Sequence, residues 1–246
     1  MDRMLYLAMS GAKQTMNAQA IATNNLANVN TTGFKADLAA ARSMPVFGDG
    51  HASRVYAMTE RPGIDYGQGS AQYTGNDLDF AINGNGFIAV QSADGSEAYT
   101  RRGDMKLNAS GLLENGAGQL ILGDGGPIAL PPAESLQIGV DGIISIRPLG
   151  QGANTSAQVD RIKLVNPQLS DLQKGADGLF RMKDGSQTQA DAIVRVIPGS
   201  LEASNVSAVG EMVNMINLQR QFEMQIKAMK SVEENDSASA QMMRVS

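Results

Sequence analysis

The sequence predicts an α+β protein in which an antiparallel, all-β central domain is inserted between paired N- and C-terminal helices that resemble a coiled coil. Near both termini, apolar residues recur every three or four positions, which is the period of one face of a helix. Between the ends, short apolar segments alternate with Asn-Gly and Asp-Gly pairs, which favour turns between antiparallel strands. Proline is absent from residues 2–28 and 206–246, and glycine occurs once in each, so both ends suit long helices.

The first helix is predicted over residues 2–28, within an N-terminal segment that comprises residues 1–35. Its apolar face is formed by Leu5, Ala8, Met9, Ala12, Met16 and Ala20. The sequence NVNTTG follows at residues 28–33, and its Asn, Thr and Gly residues favour helix caps and turns. We therefore expect the first helix to end near residue 28.

The second helix is predicted within residues 201–246, with Ser204 or Asn205 as its N-cap. Its apolar stripe has spacings close to those of a heptad seam and comprises Met212, Met215, Phe222, Ile226 and Met229. The stripe is broadened near its start by Val209, Val213 and Ile216. A helix of roughly 25 residues would be about 37 Å long.

The residues between the helices are predicted to be extended. Residues 36–75 form an extended linker or β segment, and residues 76–200 form a glycine-rich antiparallel β domain. Strand-sized apolar segments occur at residues 80–82, 87–90, 120–122, 143–146, 161–165 and 192–197. Turn dipeptides occur at residues 83–84, 85–86, 94–95, 115–116 and 141–142. Because Asn-Gly and Asp-Gly suit type I′ turns, we expect positive φ at both residues of these dipeptides.

Each helix exposes an apolar stripe, and isolated helices are marginally stable in water without a packing partner. We expect the two stripes to pack against each other, against copies of the same chain, or both. The assembly interface is assigned to Leu5, Met9, Ala12, Met16, Leu26, Met212, Met215, Ile216, Phe222, Ile226 and Met229. Periodicity alone leaves a purely intramolecular core as the alternative.

Composition excludes several classes of function. The net charge is −5 and the longest run of cations is Arg101-Arg102, so we expect no nucleic-acid partner. Cysteine is absent, which rules out disulfides and thiolate metal sites. No stretch is apolar enough to span a bilayer, so membrane insertion is not expected. The N-terminus lacks the pattern of a cleavable signal peptide, so export would need another route.

The sequence also offers no catalytic, cofactor or metal site, and we predict that the protein is not an enzyme. The single histidine, His51, has no neighbouring nucleophile and is interpreted as a loop residue. The carboxylates at residues 77–79 and 141–142 lack the ligand spacing of a calcium loop and are interpreted as turn residues. The glycine-rich segments at residues 84–86 and 123–126 lack the lysine of a P-loop.

Three parts of the chain, in order, carry a family resemblance. They read NNLANVNTTGFK at residues 24–35, LDFAINGNGF at 78–87 with YTRRG at 99–103, and LEASNV at 201–206 with EMV at 211–213 and RQFE at 220–223. Together they resemble the rod and hook proteins of the bacterial flagellar basal body. The sequence is most similar to the proximal-rod member at residues 123–128, 177–181 and 222–227. The sequence RPG at residues 61–63 is similar to the distal-rod member, which remains an alternative.

This resemblance implies a structural subunit without cofactors that assembles with copies of itself and with other flagellar rod proteins. It implies transit through the flagellum-specific type III export apparatus, without a cleavable signal peptide. The terminal helices would then form a tubular core in a rod that crosses the periplasm and transmits torque, with the β domain facing outward. A secreted β-rich carbohydrate-binding protein is the alternative from another class, but the chain has no Trp for a sugar-stacking groove.

Phe34 and Leu38 have two interpretations. Their four-residue spacing is similar to the gate-recognition motif of early flagellar export substrates. In the alternative, Phe34 anchors the chain where it leaves the first helix. Sequence alone leaves both interpretations open.

Overall fold

The computed structural model describes residues 4–45, 55–148, 150 and 156–245; His51 therefore lies outside the described residues. Within them, one helix lies near each end of the chain and antiparallel strands lie between, which confirms the α+β class. The chain divides into two compact units. The helical unit comprises Met1–Val29, Ala36–Asp65 and Val206–Ser246, and the β unit comprises Asn30–Lys35 and Tyr66–Asn205.

The helical unit contains helices α1, Met4–Ala27, and α2, Ala208–Val245. It also contains an antiparallel hairpin of strands β1, Asp37–Pro45, and β2, Val55–Ile64. The N-cap of α2 is Ser207, whose Oγ accepts a hydrogen bond from the Gly210 N–H at 3.2 Å and whose carbonyl bonds the Glu211 N–H at 2.9 Å. The predicted caps, Ser204 and Asn205, precede the helix and are therefore wrong.

The two helices pack against each other in opposite directions. Gln225 of α2 lies over Gly11 of α1, so close that a Cβ at Gly11 would be 2.9 Å from the Gln225 Nε2. Fourteen residues further along α1, Asn25 hydrogen-bonds Glu211, which lies fourteen residues earlier in α2. At this register, α2 continues past the start of α1 by roughly 13 residues, or about 20 Å at 1.5 Å per residue.

The β unit is built from short antiparallel strands. In chain order they are β3 Ala71–Tyr73, β4 Phe80–Asn83, β5 Phe87–Gln91, β6 Glu97–Thr100, β7 Met105–Leu107, β8 Leu113–Asn115, β9 Leu120–Gly123, β10 Gly126–Pro127, β11 Ala133–Ile138, β12 Ile143–Pro148, β13 Ala157–Arg161, β14 Leu164–Val165, β15 Leu172–Lys174, β16 Phe180–Met182, β17 Arg195–Pro198 and β18 Ser200–Glu202. A short 3₁₀ helix, Leu169–Asp171, precedes β15.

The strands of the β unit form four sheets within the described residues. The largest has the order β15-β16-β6-β5-β9-β8-β7, with β10 added beside β9 and β14 beside β5. A second sheet has the order β11-β12-β13, and the pairs β4-β17 and β3-β18 complete the unit. Alternate strand residues point into one shared apolar core, which includes Phe80, Ile88, Val90, Leu113, Ile121, Ile144, Leu164 and Val196.

Two predicted strands differ from those observed. The predicted strand at residues 161–165 is interrupted, because the Ile162 N–H bonds the Gly142 carbonyl and the Lys163 N–H bonds the Leu122 carbonyl. The strand predicted over residues 192–197 begins later, at Arg195. The preceding residues form a turn in which the Asp191 carboxylate accepts the Ile193 N–H at 2.8 Å.

The turns of the β unit follow a repeated pattern that is not type I′. In each, the N–H of the first residue bonds the carbonyl of the fifth, and a glycine with positive φ at position four bonds back to the first carbonyl. The pattern occurs at residues 92–96, 108–112, 115–119, 139–143 and 175–179. Among the described residues only glycines have positive φ, so the expectation for Asn and Asp is wrong. A type I turn with a glycine bulge connects the same strands without requiring positive φ at Asn or Asp.

Candidate functional site

Three of the segments that carry the family resemblance meet in the β unit at the carboxylate of Glu202. Its Oε1 accepts hydrogen bonds from the Lys35 Nζ at 2.6 Å and from the Gly69 backbone N–H at 3.0 Å. Its Oε2 accepts a hydrogen bond from the Arg101 Nη1 at 2.7 Å. The three charged side chains are at most 4% exposed. This buried charge cluster of Lys35, Arg101 and Glu202 thus ties together distant parts of the sequence.

The cluster contains two cations and one carboxylate, so it has one positive charge in excess. Backbone carbonyl groups accept hydrogen bonds from both cations. The Lys35 Nζ also donates to the Gly67 carbonyl at 2.7 Å. The Arg101 Nε donates to the Gly86 carbonyl at 2.9 Å, and its Nη2 donates to the Gly84 carbonyl. Because a buried charge without partners is costly, these carbonyls are part of what makes the cluster tolerable.

The cluster keeps Glu202 ionised. Burial alone would raise the pKa of Glu202, because desolvation disfavours the charged carboxylate. The charge of Arg101, together with hydrogen bonds from Lys35 and Arg101, outweighs burial, so the pKa of Glu202 lies below its ordinary value. Glu202 is therefore the charged partner of both Lys35 and Arg101 at neutral pH.

Aromatic rings pack around the cations of the β unit. The Arg101 guanidinium lies 5.6 Å from the centre of the Phe87 ring, and Phe87 packs in turn against Phe180 and Tyr66. A second cation, the Lys174 ammonium, lies 4.0 Å from the centre of the Phe34 ring. Such contacts between cations and ring faces are attractive, and more so where water is excluded. Of the cluster residues, Arg101 thus has an aromatic ring, Phe87, beside its guanidinium.

In the helical unit, the buried side chain of Asn25 links α1 to β1 and α2. Its Oδ1 accepts the Asp37 N–H at 2.9 Å, and its Nδ2 donates to the Asp37 carbonyl at 2.9 Å. The same Nδ2 donates to the Glu211 Oε1 at 3.2 Å. One amide side chain thus takes the place of a strand residue beside Asp37 and also contacts the opposing helix.

We expect the substitution Asn25→Ala to destabilise the helical unit by about 1–3 kcal/mol, because it removes three hydrogen bonds from buried groups. Denaturant unfolding followed by the helical circular dichroism signal measures this loss. The matched control is Asn24→Ala, at an exposed neighbouring position of α1, which should change stability little. Equal effects of the two substitutions would contradict the role of Asn25.

The residues predicted for the assembly interface fall into two groups. The first group is exposed at the surface of the helical unit and comprises Leu5, Met9, Met16, Met212, Ile216 and Ile226. The second group is buried or half-buried and comprises Ala12, Leu26, Met215, Phe222 and Met229. The most buried face of α1 is made instead of small or polar residues, Ala8, Ala12, Thr15, Ala22 and Asn25. Leu5, Met9 and Met16 of α1 are therefore not part of its most buried face.

The two residues of the suggested export motif lie in different surroundings. Phe34 belongs to the β unit and is half-buried, with its ring under Lys174 and its carbonyl accepting the Asn205 N–H at 3.3 Å. Leu38 lies in β1 of the helical unit, and its side chain is 51% exposed. The anchoring interpretation of Phe34 agrees with these contacts, which do not explain an exposed Leu38.

Sequence reasoning missed Lys35, Arg101, Glu202 and Asn25 as structural centres, although all four lie in the segments quoted for the family resemblance. A signal was present for two of them, because Lys35 lies between Phe34 and Ala36 and Glu202 lies between Leu201 and Ala203. Arg101 lies between Thr100 and Arg102 and gives no such signal. A charged side chain is almost never fully buried unless it is paired. Which charges pair with which cannot be read from spacing, because Lys35 and Glu202 are 167 residues apart.

The described part of the chain was compared with the requirements of a metal site and of a membrane-spanning helix. Among the described residues, no group of three or more His, Cys, Asp or Glu side chains is placed to hold a metal ion. Neither described helix is long and apolar enough to cross a membrane. The carboxylate of Asp79, one of the residues tested for a calcium loop, instead accepts hydrogen bonds from Thr74 and Asn76 within a turn.

Family models match the chain in three places. Residues 5–35 match the flagella basal body rod protein family. Residues 81–146 match the D1 domain of the flagellar hook proteins FlgE, FlgF and FlgG, and residues 197–242 match the C-terminal region of the FlgE, FlgF and FlgG rod proteins. These regions contain most of α1, the centre of the β unit and most of α2.

Individual relatives match over the whole chain. The chain is 42% identical to the flagellar basal-body rod protein FlgF of Escherichia coli K12 and 40% identical to that of Salmonella typhimurium LT2, with all of each chain covered. It is 37% identical to FlgF of Caulobacter vibrioides over 95% of both chains. With such identity over the full length, the chain belongs to the flagellar basal-body rod protein family.

Proposed function

We propose that this chain is a structural subunit of the proximal rod of the flagellar basal body. In this role its terminal helices assemble with copies of itself and with other rod proteins into a shaft that crosses the periplasm and transmits torque from the motor to the hook. The relatives named FlgF support the proximal rather than the distal rod. The relatives named above are all rod proteins and do not support the carbohydrate-binding alternative.

The observation that carries this proposal is the line of large apolar side chains that the helical unit leaves exposed. On α1 they include Leu5, Met9 and Met16, and on α2 they include Met212, Ile216 and Ile226, each between 42% and 57% exposed. A monomer rarely leaves so many large apolar groups in water without a partner. In the assembled rod, neighbouring subunits cover them.

The pattern of partial burial on α2 supports a coiled-coil-like pairing with α1. Between residues 211 and 232, the half-buried positions alternate in steps of four and three and comprise Glu211, Met215, Leu218, Phe222, Gln225, Met229 and Val232. Steps of four and three are those of the a and d positions of a heptad. These half-buried residues of α2 thus pack against α1 within one subunit. The exposed apolar residues of both helices remain for contacts between subunits.

The proposal is tested by the double substitution Met212→Asp and Ile216→Asp on the outward face of α2. We expect it to abolish assembly, because each charge would be buried without a partner at a cost of several kcal/mol. Sedimentation of purified protein over a range of concentrations and incorporation into rods in cells measure the effect. The circular dichroism of the isolated protein should be unchanged.

Two further variants sharpen this test. The control, Asn217→Asp with Gln219→Asp, adds the same charge at exposed polar positions of α2 and should assemble normally. The inward pair, Met215→Asp with Phe222→Asp, should lose helical signal as well as assembly but leave the strand signal of the β unit intact. Normal motility and rod incorporation in the Met212 and Ile216 variant would overturn the proposed interface.

The proposal includes export through the flagellum-specific type III apparatus, with Phe34 and Leu38 contacting the export gate in the unfolded chain. Leu38→Ala tests the export role more specifically than Phe34→Ala. Leu38 is exposed, whereas Phe34 also contacts Lys174 in the folded protein. We expect the variant to accumulate in the cytoplasm with normal stability, measured as subunit levels inside the cell and beyond the inner membrane. Normal export with poor rod incorporation would assign the residue to packing and remove the export role.

A further inference from the structure

Methionine is distributed unevenly between the two units. The chain has fourteen methionines and no cysteine. Twelve of them lie in the segments of the helical unit, although the β unit is the longer of the two. Met105 and Met182 are the two in the β unit. The thioether groups are therefore concentrated on the part of the molecule that carries the terminal helices.

Several of these thioethers are open to solvent. Met9 and Met16 on α1 are 54% and 57% exposed, and Met212 and Met224 on α2 are 51% and 60% exposed. Met105, in the core of the β unit, is 3% exposed. Three of these four residues, Met9, Met16 and Met212, belong to the predicted assembly interface, whereas other exposed methionines such as Met242 and Met243 do not. The fourth extends the apolar surface further along α2.

An exposed thioether reacts with peroxides by a two-electron oxidation in which one oxygen atom is transferred to the sulfur. The sulfur of methionine attacks one oxygen of hydrogen peroxide, the O–O bond breaks, and the products are a methionine sulfoxide and water. The sulfoxide is polar, so the side chain no longer favours an apolar contact. A methionine sulfoxide reductase reverses the step with two thiols, which become a disulfide while the oxygen leaves as water. The chain has no thiol of its own to react first.

We propose that Met9, Met16, Met212 and Met224 are reversible sulfoxidation sites that control whether the free subunit can assemble. In the reduced state the four side chains extend the apolar surface of the helices. In the sulfoxide state that surface becomes polar and neighbouring subunits no longer cover it. This inference rests on the proposed function, because it requires that assembly buries the outward faces of α1 and α2.

The test exposes the full-length protein to dilute hydrogen peroxide and follows each methionine by peptide mass spectrometry. We expect the four residues to be oxidised at least roughly tenfold faster than Met105, because reactivity follows exposure. Oxidised protein should elute earlier from a hydrophobic-interaction column and lose concentration-dependent assembly. Treatment with the reductase and a dithiol should restore both properties. The circular dichroism of the β unit should stay unchanged throughout.

The matched control replaces the four residues with leucine, as Met9→Leu, Met16→Leu, Met212→Leu and Met224→Leu. This variant keeps an apolar surface without the sulfur, so it should assemble after peroxide treatment. Two results would contradict the assignment of the four residues as modification sites. One is oxidation of Met105 as fast as the four residues, and the other is an equal loss of column retention in the wild type and the leucine variant. If untreated protein never assembles, the proposed function fails, whereas oxidation rates and column retention still decide the modification sites.

Discussion

Replacing Glu202 with glutamine is expected to destabilise the β unit by about 3–5 kcal/mol, because it leaves the charges of Lys35 and Arg101 buried without their carboxylate. Glutamine keeps the size of the side chain, so the loss measures charge rather than volume. Urea unfolding followed by the strand signal in circular dichroism provides the measurement. The free energy of unfolding of a domain is usually about 5–15 kcal/mol, so the variant should unfold at a clearly lower temperature than the wild type.

Two comparisons make the result specific to the cluster. Asp177→Asn makes the same change in the ion pair with Arg181, which is partly exposed, and should cost less than about 1 kcal/mol. Adding Lys35→Met to Glu202→Gln removes one of the stranded charges and should recover part of the lost stability. A double variant no more stable than Glu202→Gln alone would mean that the cost lies elsewhere than in the unpaired lysine.

The same cluster predicts how stability depends on pH. The pKa of Glu202 is lower in the folded protein than in the unfolded chain, so the folded state binds fewer protons at this group. Its contribution is therefore complete above the unfolded pKa, about 4.3, and is lost as the pH falls towards the folded pKa. In an acid titration of unfolding free energy, the wild type should lose stability over this window more steeply than Glu202→Gln. Parallel curves would contradict the role of Glu202.

Replacing Gly33 with alanine is expected to cost about 2–5 kcal/mol, from two independent sources. Gly33 has a φ of +66°, a left-handed conformation that an alanine adopts with strain. A Cβ there would also lie 2.4 Å from the backbone carbonyl carbon of Arg101, and backbone cannot move aside as a flexible side chain can. The Gly33 N–H bonds the Glu202 carbonyl at 2.7 Å, so the displaced segment adjoins the charge cluster.

The matched control for this substitution is Gly125→Ala. A Cβ at Gly125 meets no atom within 4 Å, and its φ is not in the left-handed region. Stability there should stay within about 1 kcal/mol of the wild type, since loss of glycine freedom in the unfolded chain is slightly favourable. Thermal unfolding of the two variants beside the wild type makes the comparison. A Gly33→Ala protein that melts like Gly125→Ala would show that the segment can shift.

The helices and most strands could be predicted because their signals are local. Apolar periodicity placed the first helix to within a few residues of its observed end at Ala27. The type of turn was wrong for a physical reason: an Asn-Gly pair suits more than one hairpin, and the number of loop residues selects among them. At Asn115-Gly116, for example, the positive φ belongs to Gly118.

Periodicity predicted an apolar stripe on each helix, but it left open which residues of the stripe face the other helix. Met9 and Met16 were assigned to the assembly interface because their side chains are large and apolar, and both are exposed in the helical unit. The buried face uses Ala8, Ala12 and Ala22, since small side chains allow close packing against a neighbour.

The long separation between Lys35 and Glu202 has a consequence for the order in which the chain folds. Contacts between residues 167 positions apart raise the contact order and slow folding. The chain loses the entropy of closing this loop before the contact can stabilise it. A chain that emerges with its N-terminus first presents Lys35 and Arg101 to water long before Glu202 arrives. Strand β18, which carries Glu202 and pairs with β3, is therefore expected to complete the β unit last.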